Sequence, residues 1–399
     1  MHPSDEIRGV KSNRLLNKKI ILGITGSIAS VESVKLSREL IRHGAEVIPV
    51  MTTAATKIIN PDALWFATGN QPIVELSGKT EHVFYCGKVK DPADLLLISP
   101  CTSNTISKIA HGIDDTSVTT FATTAIGSKI PIIIVPAMHV SMYNHTIIQD
   151  NIKKLKKINI NLIEPSIIRN KAKMANIDEI VANVIKETGK HDLKGKNILI
   201  IGGSTAEKID DVRIITNISS GKTAIWLAKN SFLRNGNVEL WYGQSNEPIP
   251  GYIKTRRFTC TNDLLKLLKN TDMKKFDVIF VCAAIADYAP KKQKGKIPSD
   301  KNKIIIEMQK TPKIISKLRK LSPKSKIIGF KIEDNPSKLK RKSTNLLKTN
   351  QLDLVVGNTT KGFKKDDNEI WIINKKGKTI HKKGKKENLT NIIIDQTLR

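Results

Sequence analysis

The 399-residue sequence has only four cysteines, Cys86, Cys101, Cys260 and Cys282, and no two of them form a Cys-x-x-Cys pair. A zinc ribbon or a disulfide framework needs closely spaced or paired cysteines, so both are excluded and the usage fits a reducing cytoplasm. Long apolar runs are also missing. The stretch 130–138 is broken by prolines and is far shorter than the ~20 residues that cross a bilayer. The opening residues, MHPSDEIRGVKSNR, are polar and charged, without the apolar centre of a secretory signal. These absences predict a soluble, cytoplasmic protein with no membrane partner. Acidic side chains are scarce beside basic ones, 37 against 67, for a formal net charge of +30. That balance invites a nucleic-acid or an anionic-substrate reading. The lysines, however, are scattered, with local density at 291–303 and 375–386, and no RNA-binding or zinc-finger signature accompanies them. The expectation is no nucleic-acid partner.

What is present has an α/β grammar. A chain of 399 residues exceeds the ~100–200 of one typical domain, which makes two domains the natural reading. Residues 18–23 read as a buried strand, followed by Ile24-Thr25-Gly26-Ser27-Ile28-Ala29, a helix to about His43 that Gly44 ends, and a second strand at 46–50. The loop offers Gly23 and Gly26 but lacks the full Gly-x-Gly-x-x-Gly of dinucleotide binders, so a mononucleotide phosphate fits better than NAD. Strands at 94–99 and 130–135 end in Pro100-Cys101-Thr102-Ser103-Asn104-Thr105 and Pro136-Ala137-Met138-His139. In an open parallel sheet the ligand lies outside the strand C-termini, so these hydroxyls, amide and imidazole read as walls of one crevice.

A polar, glycine-bearing linker at 188–196 separates this half from a fresh start at 197–201. There an apolar strand breaks at Gly202-Gly203, and a polar loop leads to a helix from about Thr223, a combination suited to anions at a helix N-terminus. Ser220-Gly221-Lys222-Thr223 mimics the tail of a Walker loop, but that motif requires glycine where this chain has Thr216. The P-loop reading therefore fails.

The first set of motifs, with the isolated His82, resembles the flavin-dependent cysteine decarboxylases. The resemblance implies a flavodoxin-like FMN domain over residues 1–187, acting as a phosphopantothenoylcysteine decarboxylase. In that family the flavin oxidises the cysteinyl thiol to a thioaldehyde, the adjacent carboxylate leaves as CO2, and the resulting enethiol is reduced by the reduced flavin. It implies that Gly26, Ser27, Thr52, Thr102, Ser103, Asn104 and Thr105 hold FMN and that His82 is the catalytic histidine. His139 stands where the family usually has an asparagine that binds the substrate carboxylate. The segment Glu164-Pro-Ser-Ile-Ile-Arg-Asn-Lys-Ala-Lys-Met174 lacks the family's flap cysteine, and its basic residues could meet a substrate phosphate. Both departures match the archaeal-type branch.

The second half resembles phosphopantothenate-cysteine ligases in 205–222, then in Ala283-Ala284-Ile285-Ala286-Asp287-Tyr288, Gly295-Lys296-Ile297, the strand with Phe330, and 352–358. The resemblance implies a nucleotide-binding ligase domain over 197–399. It would activate the carboxylate of 4′-phosphopantothenate with CTP, through an acyl-cytidylate that the amine of cysteine attacks. Gly203, Ser219, Ser220 and Gly221 would cradle phosphates, with Mg2+ bridging the triphosphate. Asn217 would polarise the acyl intermediate and Lys296 would neutralise charge on the phosphoryl group. Asp287, Phe330 and Lys348 would line the nucleotide site. Asp211 stands where the family commonly has proline. Together the halves resemble the bifunctional coenzyme A biosynthesis family, whose members are homo-oligomers with a trimeric decarboxylase core and dimeric ligase contacts.

Two other readings stand beside this one. The flap without cysteine allows an active ligase with an inactive flavin-binding first domain, which single-turnover flavin bleaching with phosphopantothenoylcysteine separates from the active form. The charge alone allows a nucleic-acid-associated flavoprotein, which salt-sensitive DNA or RNA binding would reveal.

Overall fold

Lys19–Ile24 has five of its six residues buried and Leu95–Cys101 all seven. Strands buried on both faces are apolar throughout rather than alternating, the mark of a parallel sheet covered by helices. That is the architecture of the computed structural model, which describes residues 2–168, 171–298, 303–360 and 366–399. The chain divides into two compact units, Met1–Lys190 and His191–Arg399.

In the first unit β1 (Lys19–Ile24), β2 (Glu46–Met51), β3 (Leu95–Cys101), β4 (Ile132–Pro136) and β5 (Asn161–Leu162) form a parallel sheet ordered β2-β1-β3-β4-β5. The strand order reverses beside β1, so the loops after β1 and β3 open a crevice at the C-terminal edge. The helices that matter here are α1 (Ser33–Arg42), α2 (Glu81–Cys86), α3 (Ser103–His111), α4 (Ser117–Ser128) and α5 (Ile177–Thr188). One core cluster joins the sheet to α3 and α4, with Ile98, Ile106, Val118 and Phe121 fully buried. Each such side chain contributes about 1.5–3 kcal/mol relative to exposure. A small antiparallel sheet of Met138–His139, Lys171–Lys173 and Ser166–Ile168 stands beside it.

The second unit carries an eight-stranded sheet. Its strands are β6 (Asn197–Gly202), β7 (Asn237–Tyr242), β8 (Lys254–Arg257), β9 (Val278–Val281), β10 (Lys326–Ile332), β11 (Leu354–Asn358), β12 (Asp367–Asn374) and β13 (Thr379–Lys385). The order is β8-β7-β6-β9-β10-β11-β12-β13, parallel through β11 and closed by an antiparallel pair. The expected α/β class is thus met in both units, but the sequence reading did not foresee this mixed edge. Both outer strands, β8 and β13, are rich in Lys and Arg, which keeps an edge from pairing with other chains. Core clusters cover the two faces of the sheet, one around Ile200, Leu240 and Phe280, the other around Trp241, Ile279 and Val355. Helices α6 (Lys222–Leu233), α7 (Pro336–Thr349) and α8 (Lys386–Leu398) supply much of that cover. No helix among the described residues is long and apolar enough to cross a membrane.

Candidate functional sites

The crevice of the first unit is bolted together by one hydroxyl. Thr25 Oγ1 donates to the Pro100 carbonyl at 2.9 Å and accepts the Thr102 N–H at 3.0 Å, joining the ends of β1 and β3. Gly26 faces the turn after β2 so closely that a Cβ there would meet Ala54 Cβ at 2.6 Å. Around this point three turns begin, each capped by a hydroxyl. Ser27 Oγ accepts the Ala29 N–H at 3.4 Å, Thr52 Oγ1 the Ala55 N–H at 3.2 Å and Thr102 Oγ1 the Thr105 N–H at 3.3 Å. Converging helix N-termini carry uncommitted N–H groups and favour an anion. Ser103 and Thr105 are buried, Thr105 sharing a hydrogen bond with Thr102, while Asn104 stays exposed.

His82 lies half-buried in the first turn of α2, and its Nδ1 is buried without a partner among the described residues. A buried polar atom left unpaired costs about 1–3 kcal/mol, which a ligand that meets it would recover. His139 is placed differently. It is exposed, and its Nδ1 faces the Ser141 hydroxyl at 2.8 Å and accepts the Ser141 N–H at 3.3 Å, so Nε2 is the nitrogen left to donate. A cavity of about 830 Å³ is lined by Ser27, Val31, Met138, His139, Lys173 and Asn176, among others. His82 is not part of that lining. The described part of the flap supplies Lys173 and Met174 to the wall, and Ser99 Oγ donates to Met174 Sδ at 3.4 Å. Arg169 and Asn170 of the expected flap lie outside the described residues. A glycine cradle that a Cβ would fill, three capped turns and an orphaned imidazole nitrogen fit a phosphate-bearing flavin.

In the second unit, Gly202 approaches α6 so closely that a Cβ would stand 2.1 Å from Ala224 Cβ, and Gly203 has a φ of +77°. Ser204 exchanges backbone hydrogen bonds with Gln244 at 2.9 and 3.0 Å, and its hydroxyl meets Thr216 Oγ1 at 3.2 Å. Thr216 Oγ1 donates to the Thr205 carbonyl at 2.8 Å. These bonds fold 206–216 into a hairpin with one buried and one exposed strand and deliver Asn217 to the strand ends, where its Nδ2 donates to the Ala284 carbonyl at 3.2 Å. Gly221, at φ +71°, opens α6 without a side-chain cap. Ser245 Oγ donates to the Ser220 carbonyl at 2.6 Å and fixes that turn. Asp287 is exposed after β9 and ion-paired with Lys313. Phe330 lies on β10, half-buried, beside Thr223, Asn358 and Lys386. Thus Gly203, Asn217, Ser219, Ser220, Gly221, Asp287 and Phe330 all belong to the C-terminal side of adjacent parallel strands.

Lys348 does not. It occupies the last turn of α7, whose 14 residues run back antiparallel to β10 and β11, about 18 Å along the axis from Pro336 at ~1.5 Å per residue. Gln351 N–H donates to the Lys348 carbonyl, and two residues on Asp353 N–H reaches Ile327 at the start of β10. Lys348 therefore belongs to the opposite edge of the sheet. Lys331, on β10, and Lys342, earlier on α7, instead share Glu333 at 3.3 and 2.8 Å.

Sequence reasoning also passed over Lys386. It is 6% exposed, and burial, with the charge of Lys222, pushes its ammonium pKa down. In the sequence it is one more lysine in a basic run, and only its burial beside the small cavity that Phe330 and Thr223 also line singles it out.

The Flavoprotein family profile matches residues 9–189, and the profile of the DNA/pantothenate metabolism flavoprotein C-terminal domain matches residues 193–399. Across both, the chain is 42% identical over 377 residues to the coenzyme A biosynthesis bifunctional protein CoaBC of Thermococcus kodakarensis, covering 94% of this chain and 93% of that protein. The chain belongs to the bifunctional coenzyme A biosynthesis family. The family member of Methanocaldococcus jannaschii is 40% identical over 383 residues, 94% of this chain and 92% of that protein. That of Borreliella burgdorferi is 35% identical over 374 residues, 90% and 93% of the two chains. In this family's terms the two strand-edge sites belong to a flavoprotein domain and a second α/β domain, in that order.

Proposed function

We propose that this chain carries both activities of its family. The C-terminal unit joins 4′-phosphopantothenate to cysteine at the expense of CTP, and the N-terminal unit decarboxylates 4′-phosphopantothenoylcysteine to 4′-phosphopantetheine with FMN. The observation that carries the reading is the position of Asn217. Its hydrogen bond to Ala284 ties the loop after β6 to the loop after β9 and leaves Asn217, Ser219, Ser220 and Gly221 beside Asp287 at one strand edge.

In the ligase reaction the N–H groups at Gly203 and at the start of α6, with the Ser219 and Ser220 hydroxyls, would hold the triphosphate, and Mg2+ would come in with the nucleotide to offset its charge. Phe330 and Asp287 bound the nucleoside, with Lys313 fixing the Asp287 carboxylate. Asn217 donates to the acyl oxygen, and Lys296 offsets charge that grows on the phosphoryl group as the carboxylate attacks the α-phosphorus and pyrophosphate leaves, the kind of stabilisation that dominates such transfers. Cysteine's amine then displaces CMP.

In the decarboxylase reaction bound FMN supplies the oxidation of the cysteinyl thiol. Gly26, Ser27, Thr52 and the turn 102–105 bind its phosphate and orient it. His82 takes up or returns a proton, and His139 donates from Nε2 to the substrate carboxylate. His139 lines the cavity and His82 does not, which supports a homo-oligomer in which a neighbouring copy completes the site, in line with a trimeric decarboxylase core.

Purified protein given CTP, cysteine and 4′-phosphopantothenate should be yellow and yield CMP, pyrophosphate, CO2 and 4′-phosphopantetheine. Absence of any amide product would overturn the ligase assignment, and amide without CO2 would overturn the decarboxylase. A parallel ATP reaction fixes the nucleotide preference.

A further inference from the structure

The loop 291–298 bears Lys296 in a run of exposed side chains, with only Ile297 buried. Composition alone would leave it loose, yet it is tied to the turn 209–213 at many points. Asp210 is fully buried, and its carboxylate accepts the N–H groups of Val212 at 2.8 Å, Arg213 at 2.5 Å and Ile297 at 3.0 Å, together with Arg213 Nη1 at 2.7 Å. Arg213 Nη1 continues to the Ile297 carbonyl at 3.0 Å. Gln293 N–H donates to the Ile209 carbonyl at 2.9 Å. These bonds anchor the loop at Gln293 and, through the buried Asp210, at Ile297.

The neighbouring Asp211 is half-exposed and contributes a separate set. Its N–H donates to the Gly295 carbonyl at 3.3 Å, its Oδ2 accepts the Gly295 N–H at 2.9 Å, and its Oδ1 pairs with Lys292 Nζ at 2.6 Å. We propose that Asp211 is a positioning residue for amide formation, a latch that holds Gly295 and therefore Lys296 against the 209–213 turn. The proposal rests on reading this unit as the ligase. Proline, the common residue here in the resembling ligases, has no N–H to give Gly295 and no carboxylate for Lys292. All three bonds are thus the contribution of this aspartate. An exposed ion pair is screened by salt, so the latch opens more readily than the buried Asp210 anchor.

The test uses full-length protein and reads the loop and the reaction separately. In Asp211→Ala, hydrogen exchange at the Gly295 amide should quicken by about tenfold, while Ile297, held by Asp210, exchanges as before. Amide formation from CTP, cysteine and 4′-phosphopantothenate should lose about tenfold in kcat with a smaller change in KM, since Lys296 acts on charge that develops in the transition state. CO2 release from supplied 4′-phosphopantothenoylcysteine should be unchanged. The paired reversal Asp211→Lys with Lys292→Asp should recover part of the lost rate and restore its sensitivity to salt. Unchanged exchange at Gly295 in Asp211→Ala would overturn the latch. Faster exchange with undiminished ligation would overturn its positioning role. A wild type that forms no amide would overturn the ligase reading itself, whatever the exchange shows.

Discussion

A Cβ at Gly221 would lie 2.0 Å from the Tyr242 hydroxyl and 2.5 Å from Ser245 Oγ, at a φ of +71° that L side chains rarely adopt. Gly221→Ala should therefore displace the 217–221 loop, cost about 1–3 kcal/mol of stability and reduce ligation at least tenfold. A urea melt and the CTP assay check it, and an unaltered ligation rate would show that the loop does not touch the nucleotide. At the other site, His82→Asn should cut CO2 release by about 10²–10⁴-fold, the usual share of a proton-transfer group, and leave ligation intact. Persistent decarboxylation at the normal rate would remove His82 from its role. Single residues were legible in the sequence only where a motif framed them. His82 stood out because ordered motifs surround it, and Asn217 because it precedes Ser219-Ser220-Gly221. Asp210 and Lys386 were not legible, because a buried carboxylate and a buried ammonium look in sequence like any surface charge until the chain folds around them.

Elements were legible in proportion to their burial. The strands β1, β3, β6 and β9 announce themselves as apolar runs ended by glycine or polar turns. The hairpin of Ala206–Lys208 and Ile214–Thr216 has no apolar alternation to reveal it: Ile214 to Thr216 are exposed throughout, while Ala206 and the charged Glu207 are both buried. Lys348 failed for a related reason, since spacing along a helix does not tell which sheet edge its last turn reaches. The strand β7 makes a prediction at this scale. Its Glu239 is 5% exposed and accepts Trp241 Nε1–H at 2.9 Å, with Arg256 at 2.9 Å and Lys275 and Lys254 at 3.5 and 3.6 Å. Burial pushes its pKa up, but the Trp241 bond and the three cations outweigh it, and the net shift is downward from 4.5. The carboxylate thus stabilises the fold above that value, and the contribution is lost as pH falls through 4.5 toward the lower folded pKa. Glu239→Gln should cost about 1–3 kcal/mol at pH 7 by leaving the cations without their counter-charge. The difference from wild type in urea melts should shrink as pH drops below 4.5, and a constant gap would refute the charge-based account.

At the scale of the whole molecule, the two-domain order was legible because two strand–loop–helix openings are hard to hide. The use of the +30 net charge was not, since scattered lysines have no pattern to read. CTP and the phosphorylated substrates of the proposed reactions are anionic, so a basic surface suits their capture by general attraction, which falls as salt rises. His139 lines the cavity of about 830 Å³ in the first unit while His82 stays outside it. If a neighbouring copy supplies His82, two inactive variants can repair each other. In a cyclic homo-oligomer assembled at random from equal amounts of His82→Asn and His139→Ala chains, a site is intact when one copy keeps His139 and its neighbour keeps His82, which happens at about a quarter of sites. Co-expressed chains carrying different tags and purified on both should regain about a third of the wild-type CO2 release, since every mixed trimer holds one such site among its three, while each variant alone stays inactive and all ligate normally. Verified mixed oligomers that release no CO2 would place both histidines in one copy's site and remove the shared-site reading.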